Sequence, residues 1–282
     1  MTTSPLRQRA RRAALLACLL LATVLVLSDA AGARATAAQA PPRAKPTVVL
    51  VHGAWADGSS WQRVVQRLQA RGYKVAVPPN PLRGLASDAA SIASFVNTVP
   101  GPVVLAAHSY GGAVITNAAT STPNVKALVY VNAFVPDQGE TVLQLVAARP
   151  GSLLNADPAK VFNAVPYPGA PPGDADLYVK PGLFPRAFAN DLPPRLGAAL
   201  AASQRPATFR AGGEPSGTPA WRSIRSWYLV GTRDRVIPPA EQRIMAARAR
   251  ARTVQVAASH LSMLSRPDDV TNLILRAARG VR

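Results

Sequence analysis

Val103-Val104-Leu105-Ala106-Ala107-His108-Ser109-Tyr110-Gly111-Gly112 is the stretch whose reading decides the fold. Val103 to Ala107 is an unbroken apolar run, the pattern of a short strand buried on both faces. A helix-compatible segment follows from Gly112 to about Thr120. A strand that turns sharply into a helix, with small residues on either side of a serine, lifts that hydroxyl clear of the sheet. It also sets Ser109 near a helix N-terminus, where N–H groups and the dipole favour developing negative charge. Ala107 stands where glycine is more usual, and it still meets the demand for a small side chain.

Working outward from this turn, strands and helices alternate. Thr47–Val51 and Tyr73–Val77 read as strands on one side, and Val125–Val131 on the other. Ser59 or Ser60 is expected to cap a helix carrying Trp61, Val64, Val65 and Leu68, which Gly72 closes. Ser87 with Asp88 is expected to open a helix with Ile92, Phe95 and Val96 on one face. Further on come a strand at Ser226–Val230, a helix at Pro239–Ala249 and a strand at Thr253–Val256. Pro267, followed by Asp268 and Asp269, starts a last helix to Ala278. The pattern predicts an α/β fold, a doubly wound and mostly parallel sheet, over residues 46–282. Residues 137–220 interrupt it with thirteen of the 27 prolines and no clear strand. Short helices are expected around Thr141–Ala148 and Pro194–Ser203. Such an insertion is too long for an ordinary connection. Its Phe162, Phe184, Phe188, Leu192 and Leu196 predict an ordered helical cap between two strands.

A serine hydroxyl needs a base to take its proton. Of three histidines, His52 ends the first strand and is expected to hold its loop, and His108 adjoins the serine with its side chain aimed elsewhere. His260, in a loop after the last strand, is the expected general base. Asp234, in Gly231-Thr232-Arg233-Asp234-Arg235, is the expected carboxylate, with Asp137 as runner-up. The flanking Arg233 and Arg235 offer the alternative of a surface ion pair. The chain order Ser109, Asp234, His260 favours the catalytic assignment. Oxyanion donors are expected from the backbone N–H groups of Ala54 and Tyr110. Trp55 reads as a substrate-pocket wall or a core anchor.

His52-Gly53-Ala54-Trp55 with Trp61, the Ala107–Gly112 turn, Gly231-Thr232-Arg233-Asp234 and Ser259-His260-Leu261-Ser262-Met263 resemble the α/β-hydrolase superfamily. They are most similar to its branch of plant methylesterases, hydroxynitrile lyases and bacterial relatives. The resemblance covers about residues 46–280 and is weakest in the cap. It implies a Ser109–His260–Asp234 triad and serine-hydrolase chemistry on esters. The lyases of that branch carry a lysine after the catalytic histidine; Leu261 stands there, which argues for hydrolysis. The alternative is a lyase, or a cofactor-free oxygenase or peroxidase, using the same triad.

Composition narrows the partners. The 282 residues carry a net charge of +18, with 32 Lys and Arg against 14 Asp and Glu. No basic run is interleaved with aromatics as a stacking platform would need, so no nucleic-acid partner is expected. Arg7, Arg9, Arg11 and Arg12 lead into the apolar run Ala13–Leu27, and Ala33-Arg34-Ala35 supplies a cleavage site. Residues 1–35 therefore read as a secretory signal peptide and 36–45 as a linker, which predicts a secreted, extracellular protein. The segment between Arg12 and Cys18 is too short for lipoprotein processing, so no stable membrane anchor is expected. Cleavage removes five Arg and Asp29, lowering +18 by four to +14. A loose, salt-sensitive association with the anionic cell envelope is expected. Neither metal-ligand spacing nor a dinucleotide fingerprint occurs, so no cofactor is implied. The expected substrate is a small apolar or aromatic ester.

Overall fold

Apolar runs too hydrophobic to face water on either side become the strands of one sheet. Thr47–Val51 (β1), Val75–Ala76 (β2), Val103–Ser109 (β3), Val125–Ala133 (β4), Ser226–Gly231 (β8) and Arg252–Val256 (β9) pair in the order β2-β1-β3-β4-β8-β9. Every pair is parallel. Central β3 is buried at every position, and each fully buried Val or Leu stabilises the fold by about 1.5–3 kcal/mol. The β3–β4 register shifts between His108 and Ser109, where the strand is about to turn. The computed structural model describes residues 44–281, and those from Lys45 onward form one compact unit. The expected signal peptide and Cys18 lie outside the described residues, as does all of the linker but Ala44 and Lys45. Among the described residues no helix is long and apolar enough to cross a membrane.

Helices return the chain between strands: Gln62–Gln69 (α1), Leu85–Asn97 (α2), Tyr110–Ala118 (α3), Pro239–Arg248 (α9) and Pro267–Arg279 (α11). Two starts differ from expectation. Before α1, the cap is Asp57, whose carboxylate accepts from the Ser59 N–H at 2.7 Å, because a 3₁₀ turn over Gly58–Trp61 precedes the helix. α2 begins after Gly84, ahead of Ser87, and Asp88 lies inside its first turn with its carboxylate reaching back to the Arg83 N–H at 3.1 Å. In α11 the pattern holds: Pro267 opens it, Asp268 and Asp269 sit in its first turn, and Arg276 and Arg279 in its last.

The insertion corrects the expectation of a purely helical, strandless cap. It carries a three-stranded antiparallel sheet, Phe162–Val165 (β5), Asp176–Val179 (β6) and Ala207–Thr208 (β7), in the order β5-β6-β7. These strands have two to four residues, and three of the four in β5 are exposed, so no apolar period marks them. Around them lie Val142–Ala147 (α4), Pro158–Val161 (α5), Phe184–Phe188 (α6), Pro194–Ala202 (α7) and Phe209–Gly213 (α8). Thr141 and Gln144 form a reciprocal capping box at α4. A last short helix, Ser262–Ser265 (α10), precedes α11.

Candidate active site

Ser109 sits at φ +53°, ψ −127°, between β3 and α3. A non-glycine residue held there costs about 1–3 kcal/mol, so its neighbours must enforce it. The β1 loop presses on it: a methyl group on Gly53 would lie 2.6 Å from the Ser109 Cβ. One on Gly111 would lie 2.8 Å from the His52 carbonyl oxygen, so α3 meets that loop backbone to backbone. The Phe134 N–H closes the turn by donating to the Ser109 carbonyl at 3.1 Å.

The structure brings Ser109, His260 and Asp234 together, all buried. His260 Nδ1 lies 2.8 Å from Asp234 Oδ2, and Nε2 lies 2.9 Å from Ser109 Oγ. A carboxylate only accepts, so Nδ1 carries the proton and Nε2 accepts from the serine hydroxyl. Asp234 is fully satisfied. Its Oδ1 accepts from the N–H groups of Val236 (2.8 Å) and Ile237 (3.0 Å), and its Oδ2 also from Gln242 (2.8 Å) and Asn132 (2.9 Å). Arg233 and Arg235 form no ion pair with it among the described residues. Asp137 instead pairs with Arg222 at 2.6 Å.

Sequence reasoning missed Asn132, Gln242 and Asp191. Asn132, at φ +44°, donates to Asp234 and to the Ser259 carbonyl (3.2 Å) and accepts from the Ser262 hydroxyl (2.6 Å). Its place as a buried polar residue near the C-terminal end of β4, the strand beside β3, was the available signal. Asp191 grips the histidine loop from the cap side, accepting from the Ser259 N–H at 2.9 Å and from its hydroxyl. No local pattern marks it, since its partner lies 68 residues away. The Phe188 carbonyl accepts from the Leu261 N–H at 3.2 Å, and the Phe188 ring stands edge-on to His260 at 5.2 Å.

The other two histidines are held by backbone partners. His52 accepts from the Asn80 N–H at 3.0 Å and donates to the Gly53 carbonyl at 3.0 Å, which holds the β1 loop as expected. Burial lowers its pKa. His108 is closer to the site than expected: it donates to the His260 carbonyl at 2.9 Å, with ring centroids 4.5 Å apart. Burial, then the neighbouring His260, holds its pKa well below the usual value.

Ala54 and Tyr110 line the same pocket as Ser109, both buried. The Tyr110 hydroxyl donates to Asp88 at 2.8 Å, anchoring the first residue of α3. Burial raises the pKa of both the Tyr110 hydroxyl and the Asp88 carboxyl. The pocket, about 610 Å³ of free space with its mouth, is walled by Leu143, Val146, Leu154, Phe162, Leu177 and Phe209. Trp55 is both wall and anchor: it lines the pocket, stacks on Phe162 at 5.6 Å and donates to the Leu177 carbonyl at 2.7 Å. Trp221 does not join it, its indole N–H being given to the Pro136 carbonyl at 3.0 Å. Among the described residues no cluster of three or more His, Cys, Asp or Glu is placed to hold a metal ion.

A family model for the alpha/beta hydrolase family matches residues 48–273. A carbendazim hydrolyzing esterase of Nocardioides sp. (strain SG-4G) is 28% identical over 222 residues, covering 63% of this chain and 89% of that one. A pyrethroid hydrolase structure from Sphingobium faniae JZ-2 is similar with a TM-score of 0.66 at 23% identity, covering 83% of this chain and 97% of that one. A methylesterase structure from Arabidopsis gives 0.67 at 17% identity, covering 84% and 100%. At these identities the two structures share the fold.

Proposed function

The chain belongs to the alpha/beta hydrolase family, and from that premise we propose that it is a secreted hydrolase of uncharged, apolar carboxylic esters, working through an acyl-enzyme on Ser109. The hydrogen-bonded series Ser109–His260–Asp234, opening into an apolar pocket, carries this reading. Ser109 Oγ attacks the ester carbonyl while His260 Nε2 takes its proton, and Asp234 stabilises the imidazolium so formed. The Ala54 and Tyr110 N–H groups hold the oxyanion. His260 then protonates the departing alcohol. Water, deprotonated by the same nitrogen, attacks the acyl-enzyme and releases the acid.

The pocket supports an uncharged substrate. Its lining includes no charged side chain, and the Thr208 hydroxyl is committed, donating to the Arg83 carbonyl and accepting from the Ala211 N–H at 3.1 Å each. A charged group placed there would lose its hydration without a partner. The relatives described as esterase, pyrethroid hydrolase and methylesterase favour ester bonds as the target. The arginine-led, apolar N-terminus supports export, and the excess of cations supports a loose hold on the anionic envelope.

Purified wild type and Ser109→Ala are to be compared on p-nitrophenyl esters of graded acyl length. Activity in the variant is expected to fall by about three orders of magnitude or more. Wild-type turnover by Ser109→Ala would overturn the mechanism. Cell fractionation tests export separately, and a cytoplasmic protein would overturn that part alone.

A further inference from the structure

In a parallel sheet all strands begin at one edge and end at the other. The site described above lies at the C-terminal ends. We propose that the opposite face, where the strands begin, docks a phosphodiester-bearing anionic polymer of the cell envelope. Naming an envelope polymer rests on the export reading; the anion-binding face does not.

Six exposed cations gather there: Lys126, the second residue of β4, Arg225 just before β8, Arg250 and Arg252 at the start of β9, and Arg276 and Arg279 at the end of α11. They line three grooves that adjoin pairwise, one pair sharing Arg225, another Arg252 and Trp227, and the third Gly280, so the cationic surface is continuous. Lys45, Arg71 and Lys74 stand by the starts of β1 and β2, separated from these grooves by β3. A seventh cation, Arg222, lines the third groove and pairs with Asp137 at its border; no Asp or Glu lines the grooves themselves, and none of the other six cations forms an ion pair among the described residues.

The acids lie elsewhere in the topology. Apart from Asp29, each lies in a segment that leaves the C-terminal edge of the six-stranded sheet: Asp57 after β1, Asp88 in the first turn of α2, Asp137 to Glu214 in the cap insertion, Asp234 and Glu241 after β8, Asp268 and Asp269 opening α11. Matching charge to helix dipoles accounts for Arg276 and Arg279. It does not account for Lys126, Arg225 and Arg252, which belong to strand starts and loops. Arg250 occupies φ +49° just past α9, a position that glycine fills at lower cost. A concentration of like charge without counter-charge repels itself, and a flexible polyanion relieves that by neutralising several cations at once.

The aromatic residues of this face argue against a base-stacking partner. Trp227 is buried beneath Arg252, and the Trp221 N–H is committed to Pro136. A polymer of phosphates without bases fits what is exposed. Docked in this way, the protein would present its pocket away from the polymer, towards diffusing esters.

Binding of the purified protein to immobilised poly(glycerol phosphate) is measured as a function of salt. The triple variant Arg225→Gln, Arg252→Gln, Arg279→Gln is expected to bind about tenfold or more weakly at low salt. Its log–log salt slope should fall by about three, one per lost contact. Its hydrolysis of a short ester should be unchanged, which also shows that it has folded. A cap triple, Lys160→Gln, Arg186→Gln, Arg195→Gln, removes the same charge and should retain wild-type binding. Equal weakening in both triples, or none in either, overturns the proposal. Tighter binding to duplex DNA with the same dependence on Arg225, Arg252 and Arg279 would overturn the polymer assignment. Ser109→Ala should bind the polymer like wild type, so the hydrolase reading and this one fail independently.

Discussion

At the strand ends Asp234 alone accepts five hydrogen bonds, whereas the cap walls the pocket with Leu143, Val146, Leu154, Phe162 and Phe209 and offers no charged side chain. The two regions are held by different forces. Hydrogen bonds from rigid strands fix direction and distance, which general-base chemistry requires. Apolar contacts are non-directional and scale with area, so they select a substrate by size and hydrophobicity. Changes at the strand ends should therefore act on kcat, and changes in the cap on KM and chain-length preference.

The largest effect is expected from Asp234→Asn. An amide in that place can donate to Nδ1, leaving the proton on the nitrogen that should accept from Ser109, and kcat should fall by about 10³–10⁴ with KM little altered. Steady-state kinetics on one short ester decide this, and a mainly KM-based defect would break the division of roles. Next, Gly212→Val adds bulk where even a single methyl group would lie 3.3 Å from the Leu143 side chain. Long acyl esters should lose about 10–200-fold in kcat/KM, the range set by one methylene in an apolar pocket, while the shortest ester keeps its kcat. A uniform loss across chain lengths would contradict a cap that only selects.

Asp191 tests the border between the regions, because it belongs to the cap yet grips the loop of His260. Asp191→Ala should lower kcat about tenfold, a hydrogen-bonded charge being worth about 1.5–3 kcal/mol, with KM for a short ester unchanged. Asp191→Asn, which keeps one acceptor, should recover part of the loss. A change in chain-length preference alone would place Asp191 with the selecting wall.

The smallest effect is on stability against pH. The pKa of His108 is well below its usual 6.5 in the folded protein, chiefly through burial, and that of His52 is lowered too. Above pH 6.5 both folded and unfolded states hold these rings neutral, so the stability they allow is fully present. As pH falls below 6.5 the unfolded chain takes up protons that the folded one refuses, and stability is lost by up to about 1.4 kcal/mol per pH unit for each histidine. Urea denaturation across this range should show that slope, and His108→Gln should reduce it by one proton. The raised pKa of Asp88 works in the opposite sense, its stabilisation being full below 3.8 and lost as pH rises through its folded value.

Most of the sheet was legible because its determinants are local. Apolar runs marked β1, β3, β4 and β8 within a residue or two, and Pro267 with two acids marked the start of α11. The cap sheet was not legible: β5 pairs with β6 antiparallel across a loop rich in proline and glycine, and neither strand alternates cleanly. The starts of α1 and α2 were misplaced because Asp57 caps a 3₁₀ turn ahead of α1, and because Glu214, 128 residues away, accepts from the Ala86 N–H in the first turn of α2.

By itself the sequence determined the fold class and a short list of chemical candidates. A serine on a strand-to-helix turn is a steric fact about neighbouring residues, and three histidines leave few choices of base. Only the tertiary structure decided which groups meet. His260 reaches Ser109 across 151 positions and Asp234 across 26. Asn132, Gln242 and Asp191 complete the arrangement from three further segments. Hydrogen bonds tolerate only a few tenths of an ångström, and such distances exist only after the strand ends have been packed side by side.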